Sequence, residues 1–387
     1  MKEMWMRRTV LIFVPHFLPG YRGGGPIRSV ANLVRSLGKV YDFRIVTSDR
    51  DLGMHDSYAN VEIGRWVQVE AAQVMYLSPE MQRLKIISTI MKETAHDVVY
   101  LNSFLHPRFS LLPLIASKLA KSRRPVVLAP RGEFSRVALR IKRLKKSTFI
   151  CASRLIRLHA GIRWQASSAL EAADIQRAIG GQAKDICIAS DLPHFEYNIP
   201  SKPIRHAGDP LRVLFASRIC KMKNLDFALR VLAEIKVPIE LTIVGPIDDP
   251  DYWDHCGSLI RSLPDNVRVQ FDGPLHPDAL QPLMAVSDLL FLPTQGENFG
   301  HVIIEALAAG TPVLISDQTP WQDLEEKGVG WCIPLSEKHV YISAILKLFA
   351  MKKIKNSEMR SKCLAYAGQF MKENNIIEEN RKIFHFL

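Results

Sequence analysis

Twice along this chain, short apolar runs alternate with longer stretches of helical spacing, and this double alternation restricts the fold more than any other feature. In the first half the apolar runs are residues 9–14, 41–47, 73–77, 97–101 and 125–129, with helical stretches at 26–37, 79–92 and 108–121 and a further helix and strand at 169–179 and 185–189. Strands apolar along their whole length have no wet face, so they imply a mostly parallel sheet covered by helices on both sides. The second series starts at Leu211, with runs at 211–216, 239–244, 267–271, 288–292 and 312–315. Between them, residues 190–210 carry prolines at 193, 200, 203 and 210 and read as a linker. A chain of 387 residues is too long for one ordinary core, so the expected class is α/β with two doubly wound domains. Ligands of such sheets bind beyond the carboxyl ends of the strands.

Composition narrows the classes of function. The six cysteines (151, 187, 220, 256, 332 and 363) form no C-x-x-C pair, and the histidines do not cluster. Neither a zinc site nor a disulfide framework is indicated, and a reducing cytoplasm is the expected setting. Lys2, Arg7 and Arg8 precede the apolar run 9–14 and mimic a secretory leader, but Pro15 and His16 break that run and no small-residue cleavage site follows. A first buried strand is therefore expected there. No apolar run approaches the roughly 18 residues of a membrane span. The formal charge of +12 and a pI near 9.4 point to anionic partners.

Residues 294–315, TQGENFGHVIIEALAAGTPVLI, hold the most specific signal. A strand runs into a glycine-containing loop that opens a helix expected over 299–309, ended by Gly310 and Pro312. Backbone N–H groups of Phe299 and Gly300 at such a helix start suit a phosphate, and Asn298 stands beside them. Glu297 and Glu305 have seven residues between them, about 12 Å along a helix, too far apart for the carboxylate pair of a glycosidase. That spacing suits two acids gripping opposite ends of an extended ligand such as a nucleotide diphospho-sugar. After the first strand of the second half, Arg218 and Lys223 stand five apart on a strand-to-helix turn, where two cations can hold a diphosphate. After the first strand of the chain, Gly23, Gly24 and Gly25 precede Pro26, without the G-x-G-x-x-G spacing of dinucleotide folds. Asn102, Ser103 and His106, and Arg131, Gly132 and Glu133, follow two further strands and fall at the ligand side of the sheet.

Arg218, Lys223, Glu297 and Glu305, with the continuation 306–314, resemble the E-x7-E pattern and its partner cations in family 4 of the retaining glycosyltransferases. The resemblance extends over nearly the whole chain. It implies the GT-B fold, two Rossmann-like doubly wound domains facing a cleft: an acceptor-binding domain at 1–195, a linker at 196–210, a nucleotide-sugar-binding domain at 211–370, and a C-terminal helix at 371–387 packing back on the first domain. It implies a metal-independent transferase with no cofactor beyond its donor, moving a hexosyl or N-acetylhexosaminyl group to a glycan or lipid-linked acceptor in cell-surface polysaccharide synthesis. By resemblance Arg218 and Lys223 hold the diphosphate, Glu297 the sugar hydroxyls and Glu305 the ribose. Gly24 and Gly25 face the diphosphate, Leu275 lies in the loop that reads the base, and His106 and Arg131 stand on the acceptor side. The chain departs from the family at Asn224, where glycine is common, and at 189–193, where a P-N-G turn is common. Asp249-Pro-Asp251 satisfies the D-x-D pattern that holds a metal in the other glycosyltransferase fold, yet no second ligand cluster accompanies it, and a helix start is expected.

The stretch opened by Ser135 and closed by Arg163 carries nine Lys or Arg and no acid. With Val137, Ile141, Leu144, Leu155, Leu158 and Ile162 at helical spacing, it reads as a basic amphipathic helix that docks on an anionic membrane face. Rival readings are an epimerase or hydrolase of nucleotide sugars, and a basic nucleic-acid binder. The second lacks the interleaved aromatic stacking positions that such binding needs.

Overall fold

The computed structural model describes residues 7–140, 143–193, 208–373 and 375–386. They divide into two units, Met1–Leu192 with Asn375–Leu387, and Pro193–Asn374. The expected linker at 196–210 lies for the most part outside the described residues, as do Ile141 and Lys142 of the basic stretch.

The first unit holds β1 (Thr9–Phe13), β2 (Asp42–Ser48), β3 (Trp66–Val69), β4 (Ala72–Leu77), β5 (Val98–Asn102), β6 (Val126–Ala129), β7 (Arg163–Ala166) and β8 (Asp185–Ile188). They form one sheet in the order β3-β4-β2-β1-β5-β6-β7-β8. All pairs are parallel except β3 with β4. The second unit holds β9 (Leu211–Ala216), β10 (Ile239–Val244), β11 (Val267–Gly273), β12 (Leu289–Leu292), β13 (Val313–Ser316) and β14 (Gly330–Ile333). Their order is β11-β10-β9-β12-β13-β14, parallel throughout. In both units the chain moves outward from a first strand to one side and then restarts on the other. The restart leaves a switch point between β1 and β5, and between β9 and β12, where ligands of doubly wound sheets bind.

An aspartate fixes each switch point from the opposite end. Asp97, just before β5, accepts from the Thr9 backbone N–H (2.7 Å) and donates its own N–H to Thr9 O (2.8 Å). Asp288, just before β12, accepts from the backbone N–H, Nε and Nη2 of Arg212 at 3.0 to 3.1 Å. Both hold the register of the two strands whose far ends carry the site. Phe13, Tyr100 and Trp164 in the first unit and Phe215, Phe291 and Tyr341 in the second are fully buried. Each contributes on the order of 2 to 3 kcal/mol through the apolar area it removes from water.

Several boundaries differ from those expected. Residues 78–82 form turns, so the helix expected at 79–92 is Leu84–Glu93. The stretch 108–121 begins as a π-turn, Pro107–Leu111, because His106 Nδ1 accepts from the Phe109 N–H, before the helix Leu112–Leu119. The basic stretch is two helices, Arg136–Arg140 and Arg143–Leu155, and then a turn into β7. The boundary expected at 370/371 falls inside the helix Lys353–Glu373; the chain breaks instead at Asn375, whose φ of 45° is left-handed. The helix that follows, Ile376–Ile383, belongs to the first unit. Phe384 is buried there against the rings of Tyr41, Phe43 and Tyr100 at 5.3 to 6.2 Å.

Candidate functional site

In the second unit, the loops after β9 and β12 carry the residues singled out by spacing, and the fold ties these loops together. Gln295 N–H donates to Met222 O (2.8 Å), and Thr294 Oγ1 donates to the same carbonyl (3.1 Å). Asn224 adopts φ 62° and ψ 39° and donates through Nδ2 to Pro293 O (2.9 Å). That conformation is left-handed; asparagine reaches it with little penalty and adds a bond that glycine would lack. The result brings Lys223 Nζ into a hydrogen-bonded ion pair with Glu297 Oε1. The Glu297 backbone N–H is held in turn by Gln318 O (3.0 Å) in the loop after β13.

Arg218, also after β9, pairs through Nη1 with Asp248 Oδ2 (2.5 Å), a residue the sequence did not single out. Asp248 comes from the loop after β10, which is joined to the first loop by Ile219 N–H to Pro246 O (2.8 Å) and Asp248 N–H to Ile219 O (3.1 Å). Gly245 makes this approach possible: at φ 142° a Cβ there would stand 1.8 Å from Ser217 O. Asp249 accepts through Oδ1 from the Tyr252 N–H (3.1 Å) and so caps the helix Pro250–Arg261, and Asp251 stands in that helix's first turn, where an acid complements the helix dipole.

The helix after β12 is His301–Ala308, shorter at both ends than expected, with Gly300 as its N-cap at φ 82° and no capping side chain. Phe299 is buried, its carbonyl held by Trp321 Nε1 (2.5 Å) and its ring 5.4 Å from that of Trp321. Trp321 is a support that spacing did not reveal. Glu305 sits half-buried in this helix, and Leu275 follows β11 in the next loop but one. Arg218 and Lys223 after β9, and Glu297, Asn298, Phe299 and Gly300 after β12, thus stand on two neighbouring loops at the carboxyl end of one sheet, with the loops after β10, β11 and β13 beside them. Two cations, two or more carboxylates and a helix N-terminus in that position can hold a diphosphate and the hydroxyls on either side of it.

The first unit arranges its candidates differently. Gly24 caps the helix Gly25–Leu37 at φ 64° and ψ −127°, a conformation closed to other residues, and open space surrounds the place of a Cβ. The preceding loop is fixed by Asp51, which accepts from the N–H groups of Tyr21 (2.9 Å) and Arg22 (3.1 Å). His106 lies after β5, so it and the glycine loop flank the switch point of this sheet. Burial, with His16 and Arg108 nearby, pushes the His106 imidazole down to about 4. Because its Nδ1 accepts from Phe109 N–H (3.1 Å), the neutral ring offers Nε2–H as a donor.

Arg131, expected on the acceptor side, is withdrawn from any ligand. Its side chain is 8% exposed, and the guanidinium bonds Asn102 Oδ1 (2.7 Å), Tyr100 OH (2.8 Å) and Asp191 Oδ1 (2.5 Å). Glu133 accepts from Ser103 Oγ (2.7 Å) and from the N–H groups of Phe104 and Leu105, and Glu171 from Gly132 N–H (2.6 Å). Burial pushes both carboxyls up from the usual range. These groups hold the loops after β5 and β6 rather than facing a substrate. Nothing in the sequence distinguishes a buried arginine of this kind from an exposed one.

Residues 199–369 match the family model described as "Glycosyl transferases group 1". A D-inositol 3-phosphate glycosyltransferase of Rhodococcus erythropolis is 36% identical over 112 residues, 27% of this chain and 25% of that protein. A phosphatidyl-myo-inositol mannosyltransferase of Mycobacterium leprae is 27% identical over 150 residues, 38% of this chain and 37% of the relative. The matches therefore span between 25% and 37% of these curated relatives' length. Among solved structures, HepE of Anabaena in complex with UDP and glucose superimposes with a TM-score of 0.70 at 18% identity, covering 97% of this chain and 98% of that one. Sucrose-phosphate synthase of Thermosynechococcus elongatus gives 0.68 at 16% identity over 98% and 95%. At these identities the likeness concerns the fold, which is of GT-B type.

Proposed function

We propose, from the match of residues 199–369 to the model of the group 1 glycosyl transferases, that the whole chain is a retaining glycosyltransferase that moves a sugar from a nucleotide diphospho-sugar to a glycan or lipid-linked acceptor. The observation that carries the reading is the meeting of Lys223 and Glu297 at the switch point between β9 and β12, beside Arg218 and the helix N-terminus at Gly300. In the proposed reaction the bond between the anomeric carbon and the diphosphate oxygen breaks while a bond to the acceptor oxygen forms on the same face. The acceptor proton passes to the departing phosphate. Negative charge grows on that phosphate, and Arg218, Lys223 and the N–H groups at Gly300 and His301 meet it already oriented. This supports a metal-independent reaction. Glu297, touching Lys223, belongs where sugar and diphosphate join, and Glu305, inside the helix, belongs on the ribose.

The neighbour bound to UDP and glucose supports a uridine nucleotide and a hexosyl group as the first donor to try. Work at the inner membrane face, docked through the basic stretch, and a place in cell-surface polysaccharide synthesis complete the reading. Calorimetry with UDP, GDP and ADP beside initial transfer rates tests it. Arg218→Ala and Lys223→Ala should lower turnover roughly 10²- to 10³-fold. Glu305→Ala should chiefly weaken nucleotide affinity, and Glu297→Ala should spare nucleotide binding while reducing transfer. Loss of nucleotide binding in Glu297→Ala with none in Glu305→Ala would reverse the proposed donor orientation.

A further inference from the structure

The basic stretch was read as one amphipathic helix docking on an anionic membrane face, and the structure shows which of its apolar side chains face water. In the helix Arg143–Leu155 the inward side chains are Phe149, Ile150 and Ser153, while Leu144 and Leu155 are each 83% exposed, and Ile156 after them is 69% exposed. Eleven residues separate Leu144 from Leu155, so they lie about 20° apart around the helix and about 16 Å apart along it. Thr148 and Cys151, also exposed, fall on the same stripe. Arg143, Lys145 and Arg154, all exposed, stand about 100° to either side of the two leucines. A second exposed segment lies close by. Lys118 Nζ donates to Ala160 O (2.8 Å), which brings the end of the helix Leu112–Leu119 within one side chain's reach of the turn after Leu155. Leu119 there is 70% exposed, followed by exposed Lys121, Arg123 and Arg124.

We infer that these two segments form one membrane-inserting surface, in which Leu119, Leu144, Leu155 and Ile156 enter the acyl boundary of an anionic leaflet while the flanking cations bind its phosphates. The inference rests on the peripheral-membrane reading above and deepens it, from attraction by charge to penetration by named side chains. The arrangement fits lipid rather than an acidic protein, because isolated leucines ringed by cations match a surface that is apolar just beneath its charge. It also explains what charge alone does not: four large apolar side chains held in water within one basic region.

Co-sedimentation of the full chain with vesicles of phosphatidylcholine, and of phosphatidylcholine with phosphatidylglycerol, provides the test. Binding is expected for the anionic vesicles only. Leu119→Ser, Leu144→Ser, Leu155→Ser and Ile156→Ser together should lower partitioning by at least about tenfold. The corresponding phenylalanine variant should retain binding, and far-ultraviolet circular dichroism with UDP affinity shows that each variant is folded. If the serine variant binds as tightly as the unsubstituted chain, insertion is overturned while docking by charge stands. If the unsubstituted chain binds neither vesicle, or both equally, the docking reading falls and this inference with it.

Discussion

Lys223 Nζ donates to Glu297 Oε1 although 74 residues separate them, and the two side chains are only 11% and 13% exposed. The cation expected on the diphosphate and the acid expected on the sugar therefore form a single partly buried unit. Removing one partner leaves the other in a poorly hydrated place. Denaturant unfolding of Lys223→Ala, Glu297→Gln and the double variant should give a coupling of about 1 kcal/mol or more, with the double variant less damaged than the sum. Strict additivity would show that the two groups are merely neighbours.

Arg218 is held by Asp248 in the same way, but nearer to solvent. A carboxylate there competes with a diphosphate for the guanidinium. Asp248→Asn should tighten binding of a nucleoside diphosphate by up to about fivefold, the range of a partly exposed pair, and the gain should shrink at high salt. Calorimetry at two salt concentrations measures this; weaker binding in Asp248→Asn would mean that the acid orients Arg218 rather than masking it.

Asn224 combines a left-handed backbone with a side-chain bond to Pro293 O, and two substitutions separate these contributions. Asn224→Gly keeps the conformation and loses the bond, at a cost of about 1 kcal/mol in stability. Asn224→Ala loses the bond and adds about 1 kcal/mol or more of backbone strain. Unfolding curves should rank the unsubstituted protein above the glycine variant and that above the alanine variant. Alanine ranking above glycine would refute the role given to the backbone.

Acid should weaken the first unit through its buried histidines. His159 packs against Phe104 and Trp164 at 4.7 and 5.7 Å, and burial, with Lys118 nearby, pushes its imidazole down to about 4. A histidine whose folded value lies below its unfolded 6.5 takes up its proton preferentially on unfolding. Its contribution is thus constant above that value and is lost as pH falls from there toward 4. Glu133 and Glu171, pushed up by burial, act in the opposite sense and are unchanged by a histidine substitution. Melting temperatures of the unsubstituted protein and His159→Phe at pH 7 and pH 5 should therefore differ in slope, with the smaller drop in the phenylalanine variant. Equal drops would place no titrating histidine at this position.

Most of the strands and helices in their order, the approximate start of the helix after β12 and the glycine loop after β1 were legible in the sequence because they depend on neighbours a few residues away; the short strands β3 and β14 and the break in the basic stretch were not. Apolar runs mark strands, Gly300 and Gly310 bound a helix, and the spacing of Glu297 and Glu305 is a local distance along the chain. The pairing of Lys223 with Glu297 and of Arg218 with Asp248 was not legible, since strand order alone decides which loops meet at a switch point. Arg131 shows the same limit in reverse: a cation placed correctly after β6 is turned inward by Asp191, 60 residues away. The helix Arg143–Leu155 shows why periodicity by itself stops short. It carries apolar side chains on two opposite faces, and spacing reveals each stripe without saying which one the core receives. Only the surrounding elements decide that, by covering Phe149 and Ile150 and leaving Leu144 and Leu155 in water.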